Sequence, residues 1–254
     1  EFTPQGYDIE FRQVDFAYEQ GKQILNNLSF IARQGEKTAL VGPSGAGKST
    51  IAMLAARFWD IQDGEILIGN VPIKEIPTSV LMDNIALVFQ DNMLFFDTIE
   101  ENIRMGNKTA TFEDVKRAAC AAQCHEFIEA LPDGYQTLVG EGGTYLSGGE
   151  MQRLALARAI LKDAPVILLD EATAFADPEN EGKILEAFSH LIKGKTVLVI
   201  AHRLGTITNA DHILYLDKGM ITEKGTHEEL LALHGAYAHM WKTYNRAKEW
   251  IIDR

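Results

Sequence analysis

The stretch Gly42-Pro43-Ser44-Gly45-Ala46-Gly47-Lys48-Ser49 constrains this chain most, because it matches G-x-x-x-x-G-K-[ST] in full. Thr38-Ala39-Leu40-Val41 before it reads as a compact apolar strand, and Thr50 to Phe58 after it has helical composition. That is the strand–loop–helix context the motif requires. Glycines let backbone N–H groups turn inward and approach phosphate oxygens with no side chain in the way. The helix starting near Lys48 points its positive dipole end at the same anion. Lys48 is then expected to reach the β- and γ-phosphates of a nucleotide, with the Ser49 hydroxyl on Mg²⁺. Gly42, Pro43, Ser44, Gly45, Ala46, Gly47, Lys48, Ser49 and Thr50 are therefore candidate nucleotide-binding residues.

Strand texture surrounds this loop. Ile9, Phe11, Val14 and Phe16 sit at near-alternate positions, Leu28 and Phe30 follow a turn, and Gly64–Gly69 reads as a short strand. After Gln90 the texture changes, and helical patterns dominate from Thr98 to about Leu161, including Phe112–Ala130. Strands return at Val166–Leu169, Thr196–Ile200 and His212–Leu216, with helical stretches near Glu179–Ile192 and from Ala236 to about Ile251. Strands alternating with helices predict an α/β fold with a parallel sheet, and the helical block reads as an inserted lobe. The expected division is about 1–90 with 164–254 as the core and about 91–163 as the insertion.

Composition narrows the class. Hydrophobic residues at 46% argue against disorder, and two cysteines exclude a disulfide scaffold. Lys+Arg number 24 against 36 Asp+Glu, and the resulting net charge of −12 disfavours a general electrostatic grip on nucleic acid. No apolar run reaches the length of about 18 residues that a membrane span needs. Glu1–Gly6 carries neither an initiator Met nor a signal pattern, which reads either as a fragment or as first residues that come from cloning.

A phosphate loop calls for carboxylates near the metal and the attacking water. Val166-Ile167-Leu168-Leu169 runs into Asp170-Glu171, 122 positions after Lys48. Asp170 is placed to hold Mg²⁺ through water, and Glu171 to polarise the attacking water as general base. Leu146-Ser147-Gly148-Gly149-Glu150 then opens a helical pattern. Ser147 three residues before Glu150 is an N-cap signature, and the Ser-Gly-Gly turn is also an anion nest.

With these motifs together, the chain from Ile9 to about Tyr237 resembles the ATP-binding-cassette ATPases. The resemblance implies a P-loop NTPase (RecA-like) core with an N-terminal antiparallel β-subdomain and an inserted α-helical subdomain, all in one cassette spanning residues 1–254. It implies that Tyr18 stacks on adenine, that Gln90 senses Mg²⁺ and the lytic water, and that His202 contacts the γ-phosphate. Asp177 sits where the family has its D-loop aspartate. ATP and Mg²⁺ are the implied cofactors. Two cassettes are implied to pack head to tail, each ATP touching Gly42–Ser49 of one and Ser147, Gly148 and Gly149 of the other.

Several stretches are similar to cassettes of exporter-type transporters, in which six membrane helices precede the cassette. They include Phe95–Ile103, Thr137–Gly143, Ile200–Leu204 and Gly219–Leu230. The implied partners are a second cassette and a membrane domain contacting the Gln90–Phe96 and Thr137–Gly143 regions, at the cytoplasmic face of a membrane. Met93, Leu94, Phe95 and Phe96 form either a patch for that domain or ordinary core of the helical lobe.

Two departures stand out. Ala174-Phe175-Ala176-Asp177 replaces the family's usual Ser-Ala-Leu-Asp, a variant similar to that of some exporter-fold systems handling siderophores, and Glu150 replaces the commoner Gln. The competing reading is a non-transport cassette acting on nucleic acid or the ribosome. The short spacing between Lys48 and Asp170 leaves no room for the long coiled coil of chromosome-type members, and ribosome-type members carry two cassettes. Cys120 and Cys124 are expected as small buried core residues sharing a helix face, and His227 as part of a solvated helix start.

Overall fold

A computed structural model of the chain describes residues 2–89, 93–170, 178–202 and 204–252. Along it run β1 (Ile9–Ala17), β2 (Gln23–Ala32), β3 (Lys37–Val41), α1 (Lys48–Ala55), β4 (Asp63–Ile68), β5 (Val71–Pro72), α2 (Thr78–Asp83) and β6 (Ile85–Val88). Next come β7 (Asp97–Thr98), α3 (Ile99–Arg104), α4 (Phe112–Ala121), α5 (His125–Glu129), β8 (Leu138–Val139) and α6 (Gly148–Lys162). The rest are β9 (Val166–Asp170), α7 (Pro178–Ile192), β10 (Thr196–Ile200), β11 (His212–Asp217), β12 (Met220–Gly225), α8 (His227–Ala232) and α9 (Ala236–Ile252). The chain divides into two compact units, the first being Glu1–Ile85, Leu168–Glu171 and Gly194–Arg254, the second Ala86–Ile167 and Ala172–Lys193.

The first unit holds two sheets. One is antiparallel, in the order β2-β1-β4-β5. Its inward residues Ile9, Phe11, Val14 and Phe16 are all buried. The extra residue between Phe11 and Val14 is a bulge: Gln13 has φ +47, and the pairing with β2 shifts register there. Across the pair Phe11 stacks on Phe30 with ring centroids 4.7 Å apart. The second sheet has the order β12-β11-β3-β10-β9 in this unit. Central β3 pairs in parallel with both β10 and β11, and β10 is buried along its whole length, as an apolar run covered on both faces should be.

The second unit contains β6 beside the start of β9, the short antiparallel pair β7–β8, and helices α3 to α7. Ile184, Ala187 and Leu191 of α7 and Leu154, Leu156 and Ala157 of α6 are buried there. The fold is therefore α/β, a P-loop core with an antiparallel β-sheet near its start and a mainly helical insertion. Phe112–Ala130 is two helices, not one continuous run. Gln123 takes φ +58 and breaks it, and Arg153 Nη1 donates to the Gln123 carbonyl at 2.6 Å.

One turn ties the sheets to the phosphate loop. Gly219, between β11 and β12, has φ +77, and a Cβ there would stand 2.1 Å from the Ile24 carbonyl oxygen. Its N–H donates to Ala46 O at 3.1 Å, and its own carbonyl accepts from Asn26 N at 3.0 Å. Gly219→Ala is expected to lower unfolding stability by more than about 1 kcal/mol. A urea unfolding midpoint equal to that of the parent chain would contradict this.

Candidate nucleotide-binding site

β3 ends at Val41 between two parallel neighbours, so the loop that follows leaves the sheet at its carboxyl edge, where α/β sheets bind ligands. Gly42 has φ +142, and a Cβ on it would lie 2.1 Å from the Leu216 carbonyl oxygen. Gly47, at φ +104, caps α1 with no side-chain hydrogen bond, and a Cβ there would meet Leu25 Cδ2 at 2.7 Å. Only bare backbone passes these two points. The first N–H groups of α1 are thus left without a side-chain acceptor from its cap, the condition for anion binding.

Lys48 opens α1 and is buried at 8% exposure. Its Nζ donates to the carbonyls of Gly42 and Pro43, both at 2.8 Å. Burial pushes its pKa below the ordinary 10.5, and the Asp170 carboxylate opposes that shift. A lysine that releases its proton more readily folded than unfolded makes stability rise as pH climbs through the window just under 10.5. At neutral pH it remains a cation held against its desolvation. Ser49 is exposed, whereas Thr50 is buried with Oγ1 2.9 Å from the Tyr18 hydroxyl. The half-exposed Tyr18 ring meets Trp59 edge-on, centroids 5.1 Å apart.

Two further strand ends converge on the loop. Asp170 closes β9, and His202 follows Ala201 beyond β10. His202 Nε2 lies 2.8 Å from Asp170 Oδ1; since an ionised carboxylate only accepts, Nε2 carries the proton and donates. Tyr18, Gly42, Lys48, Ser49, Thr50 and His202 line one cavity of about 850 Å³, together with His239, Met240, Thr243 and Tyr244 of α9. The Ser49 hydroxyl and the Asp170 carboxylate are the hard oxygen donors that Mg²⁺ prefers, so the residues present fit that ion. Pro43, Ser44, Gly45 and Gly47 border the same cavity, and Ala46 is buried beneath the loop.

Gln90, Glu171 and Asp177, with the Ala172–Ala176 loop, lie outside the described residues. Ser147, Gly148 and Gly149 stand at the start of α6 in the second unit. The capping box is complete: Ser147 Oγ accepts from Glu150 N at 3.3 Å, and Glu150 Oε2 accepts from Ser147 N at 2.8 Å. The Ser147 hydroxyl hydrogen is left for another acceptor. Glu150 therefore holds the turn, and its carboxylate sits favourably in the first helical turn.

Other contacts escaped the sequence reading. Asn102 is buried and grips the preceding segment, accepting from Phe95 N at 3.0 Å and donating to the Phe95 and Thr98 carbonyls at 3.0 Å each. Arg158 Nε donates to Asn102 O at 2.9 Å. Met93, Phe95 and Phe96 are left exposed, and the β7–β8 pair joins their segment to Leu138, also exposed. Met93, Phe95 and Phe96 thus form a surface patch, while Leu94 among them is half-buried. His227 does open α8, but its ring is half-buried, with Nδ1 2.7 Å from the Tyr237 hydroxyl and the ring 4.6 Å from that of Trp241. Cys124 is buried as expected, but Cys120 is exposed, the helix having ended between them.

A phosphate loop on the central parallel strand, with a carboxylate and an imidazole from neighbouring strand ends, defines a P-loop nucleotide-binding domain. The family model described as ABC transporter matches residues 25–174. A lipid A-core flippase described as ATP-dependent, from Legionella pneumophila, is 46% identical over 96% of this chain. The mycobactin import ATP-binding/permease protein IrtA of Mycobacterium tuberculosis is 49% identical over 92% of it. A solved structure described as a bacterial Atm1-family ABC exporter with ATP bound superposes with a TM-score of 0.90 at 43% identity over 95% of the chain. The chain spans 42% of that flippase, 27% of IrtA and 42% of that exporter chain. It belongs to the ABC transporter family, as a nucleotide-binding domain of the exporter type.

Lys48→Met is expected to leave the chain folded and to abolish the rise in melting temperature that ATP confers on the parent. Equal ATP-dependent shifts in both proteins would remove Lys48 from the phosphate site.

Proposed function

We propose that this chain binds and hydrolyses ATP as the motor of a membrane transporter, with residues about 1–90 and 164–254 as its catalytic core and about 91–163 as its helical subdomain. The convergence of Lys48, Asp170 and His202 on the glycine loop carries this reading. Lys48 exchanges its loop carbonyls for β- and γ-phosphate oxygens, and the loop N–H groups with those of α1 hold the phosphate chain in line. Tyr18 offers its ring to the adenine. Ser49 and Asp170 would hold Mg²⁺, with Gln90 as the implied sensor of the ion, and the ion when bound would neutralise charge on the phosphate oxygens. Glu171 accepts the proton of the attacking water, and His202 exchanges its Asp170 partner for the γ-phosphate, to which Nε2–H then donates.

A second cassette completes the site. Ser147, Gly148 and Gly149 of that copy add donors that only the γ-phosphate draws in, with Asp177 a further candidate contact, so ATP favours the closed pair and hydrolysis releases it. The hydroxyl hydrogen left by the Ser147 cap supports this. The exposed apolar residues around Phe95 and Leu138 receive a membrane domain, and their exposure supports a chain working at the cytoplasmic face of a membrane. One relative is named for lipid A-core and another for mycobactin, which supports cargo choice outside the cassette. The net charge of −12 disfavours nucleic acid as the partner.

Glu171→Gln is expected to cut phosphate release at least about 100-fold and to give an ATP-dependent dimer by size-exclusion chromatography with light scattering. A monomer under saturating ATP sinks the dimer mechanism. In the membrane-domain-bearing protein, Phe95→Asp with Phe96→Asp is expected to stop transport while ATP hydrolysis by the isolated cassette is retained. Undiminished transport would remove the patch from docking.

A further inference from the structure

The last element, α9, is part of the cavity that the ATP reading assigns to the nucleotide. His239, Met240, Thr243 and Tyr244 line it, and their spacing puts all four on one helix face. Lys242 and Arg246 are exposed to solvent. The cavity of about 850 Å³ lies toward the upper end of the roughly 300–1,000 Å³ usual for ligand pockets. A ligand held by the glycine loop can therefore reach the helix. An imidazole and a phenol can both donate to phosphate or ribose oxygens.

The helix is fixed at its base and rests on the strands that launch the catalytic groups. The Glu223 carboxylate accepts from the N–H groups of Ala236 and Tyr237, at 2.5 and 3.1 Å. Tyr237 is fully buried, with its hydroxyl on His227. One turn on, Met240, Trp241 and Tyr244 pack against a buried cluster that includes Val41, Ala201 and Leu204. Val41 is the residue before Gly42, and Ala201 the residue before His202. Displacement of the phosphate loop or of His202 is thus felt by the packed face of α9. The Thr243 hydroxyl donates to the His239 carbonyl at 3.1 Å, joining two turns of the lining face.

We propose that α9 is a wall of the nucleotide site, adding affinity for ATP through His239 and Tyr244 and shifting when the site is occupied. The proposal rests on the ATP reading above and adds a helix that none of its motifs includes. It makes α9 the element through which nucleotide state can be read at the end of the core remote in sequence from the glycine loop.

The test uses the full 254-residue chain. Trp59→Phe with Trp250→Phe leaves Trp241 as the only indole, and binding is followed independently with a fluorescent ATP analogue. ATP is expected to shift Trp241 emission with a half-saturation matching the analogue's displacement. His239→Ala with Tyr244→Ala is expected to weaken analogue binding about three- to tenfold, while Lys242→Ala leaves it unchanged. Circular dichroism and a melting curve confirm that each variant is folded, and His239→Ala alone, an exposed position, gives an affinity reading should the double variant melt early. An unmoved Trp241 spectrum, or affinity within about twofold of the parent for the folded His239→Ala and double variants, overturns the proposal in a chain that still binds ATP. Unchanged analogue binding in Lys48→Met would instead overturn the underlying nucleotide reading.

Discussion

The passage of bare backbone at Gly42 beneath the Leu216 carbonyl is the constraint on which the site depends. A Cβ there would lie 2.1 Å from that oxygen, so the loop's departure from β3 is fixed by β11. The turn after β11 adds a second hold, Gly219 N–H on Ala46 O at 3.1 Å, and Leu25 of β2 crowds Gly47. Three elements distant in sequence therefore mould one loop. Its N–H groups need little rearrangement on binding, and such preorganisation lowers the entropy lost when a ligand is taken up.

Electrostatics then sets what that loop accepts. Lys48 is a buried cation in a chain of net charge −12, yet among the described residues carbonyl oxygens are the hydrogen-bond partners of its Nζ, and Asp170 acts on it electrostatically. Carbonyls satisfy its donors without neutralising it, so burial still pushes its pKa down. A polyanion supplies both donors' partners and counter-charge. Asp170 also orients His202, so two side chains at the mouth of the loop are positioned by one another.

Much of the core was legible because its determinants are local. Strands buried on both faces read as apolar runs, and the phosphate loop declares itself through glycines at positions of positive φ. Even the β1 bulge shows as the gap from Phe11 to Val14. The break at Gln123 was not legible, since no glycine or proline marks it. It is stabilised by Arg153 from another helix, and Cys120 is exposed because α4 ends before Cys124. The half-burial of the His227 ring was missed for the same kind of reason: its partners Tyr237 and Trp241 lie on the following helix. The helical stretch read from Ala236 to about Ile251 carried no sign that one face of α9 lines a cavity.

The helical unit shows how an exposed apolar surface can be built without being a packing failure. The segment from Phe95 to Thr98 is held by its backbone: Asn102, 1% exposed, bonds to it on both donor and acceptor sides. Arg158 in turn donates to the Asn102 carbonyl, and desolvation lowers its pKa. A buried amide and a desolvated guanidinium are tolerated only when their hydrogen bonds are made, so this network specifies one loop conformation. With the backbone secured, the side chains of Phe95 and Phe96 are not needed for the fold and remain 50% and 62% exposed. Gly140 reinforces the arrangement from the facing loop, where a Cβ would stand 2.6 Å from the Phe95 carbonyl carbon. Polar interactions inside the unit thus fix the backbone of an apolar face that the unit itself leaves exposed.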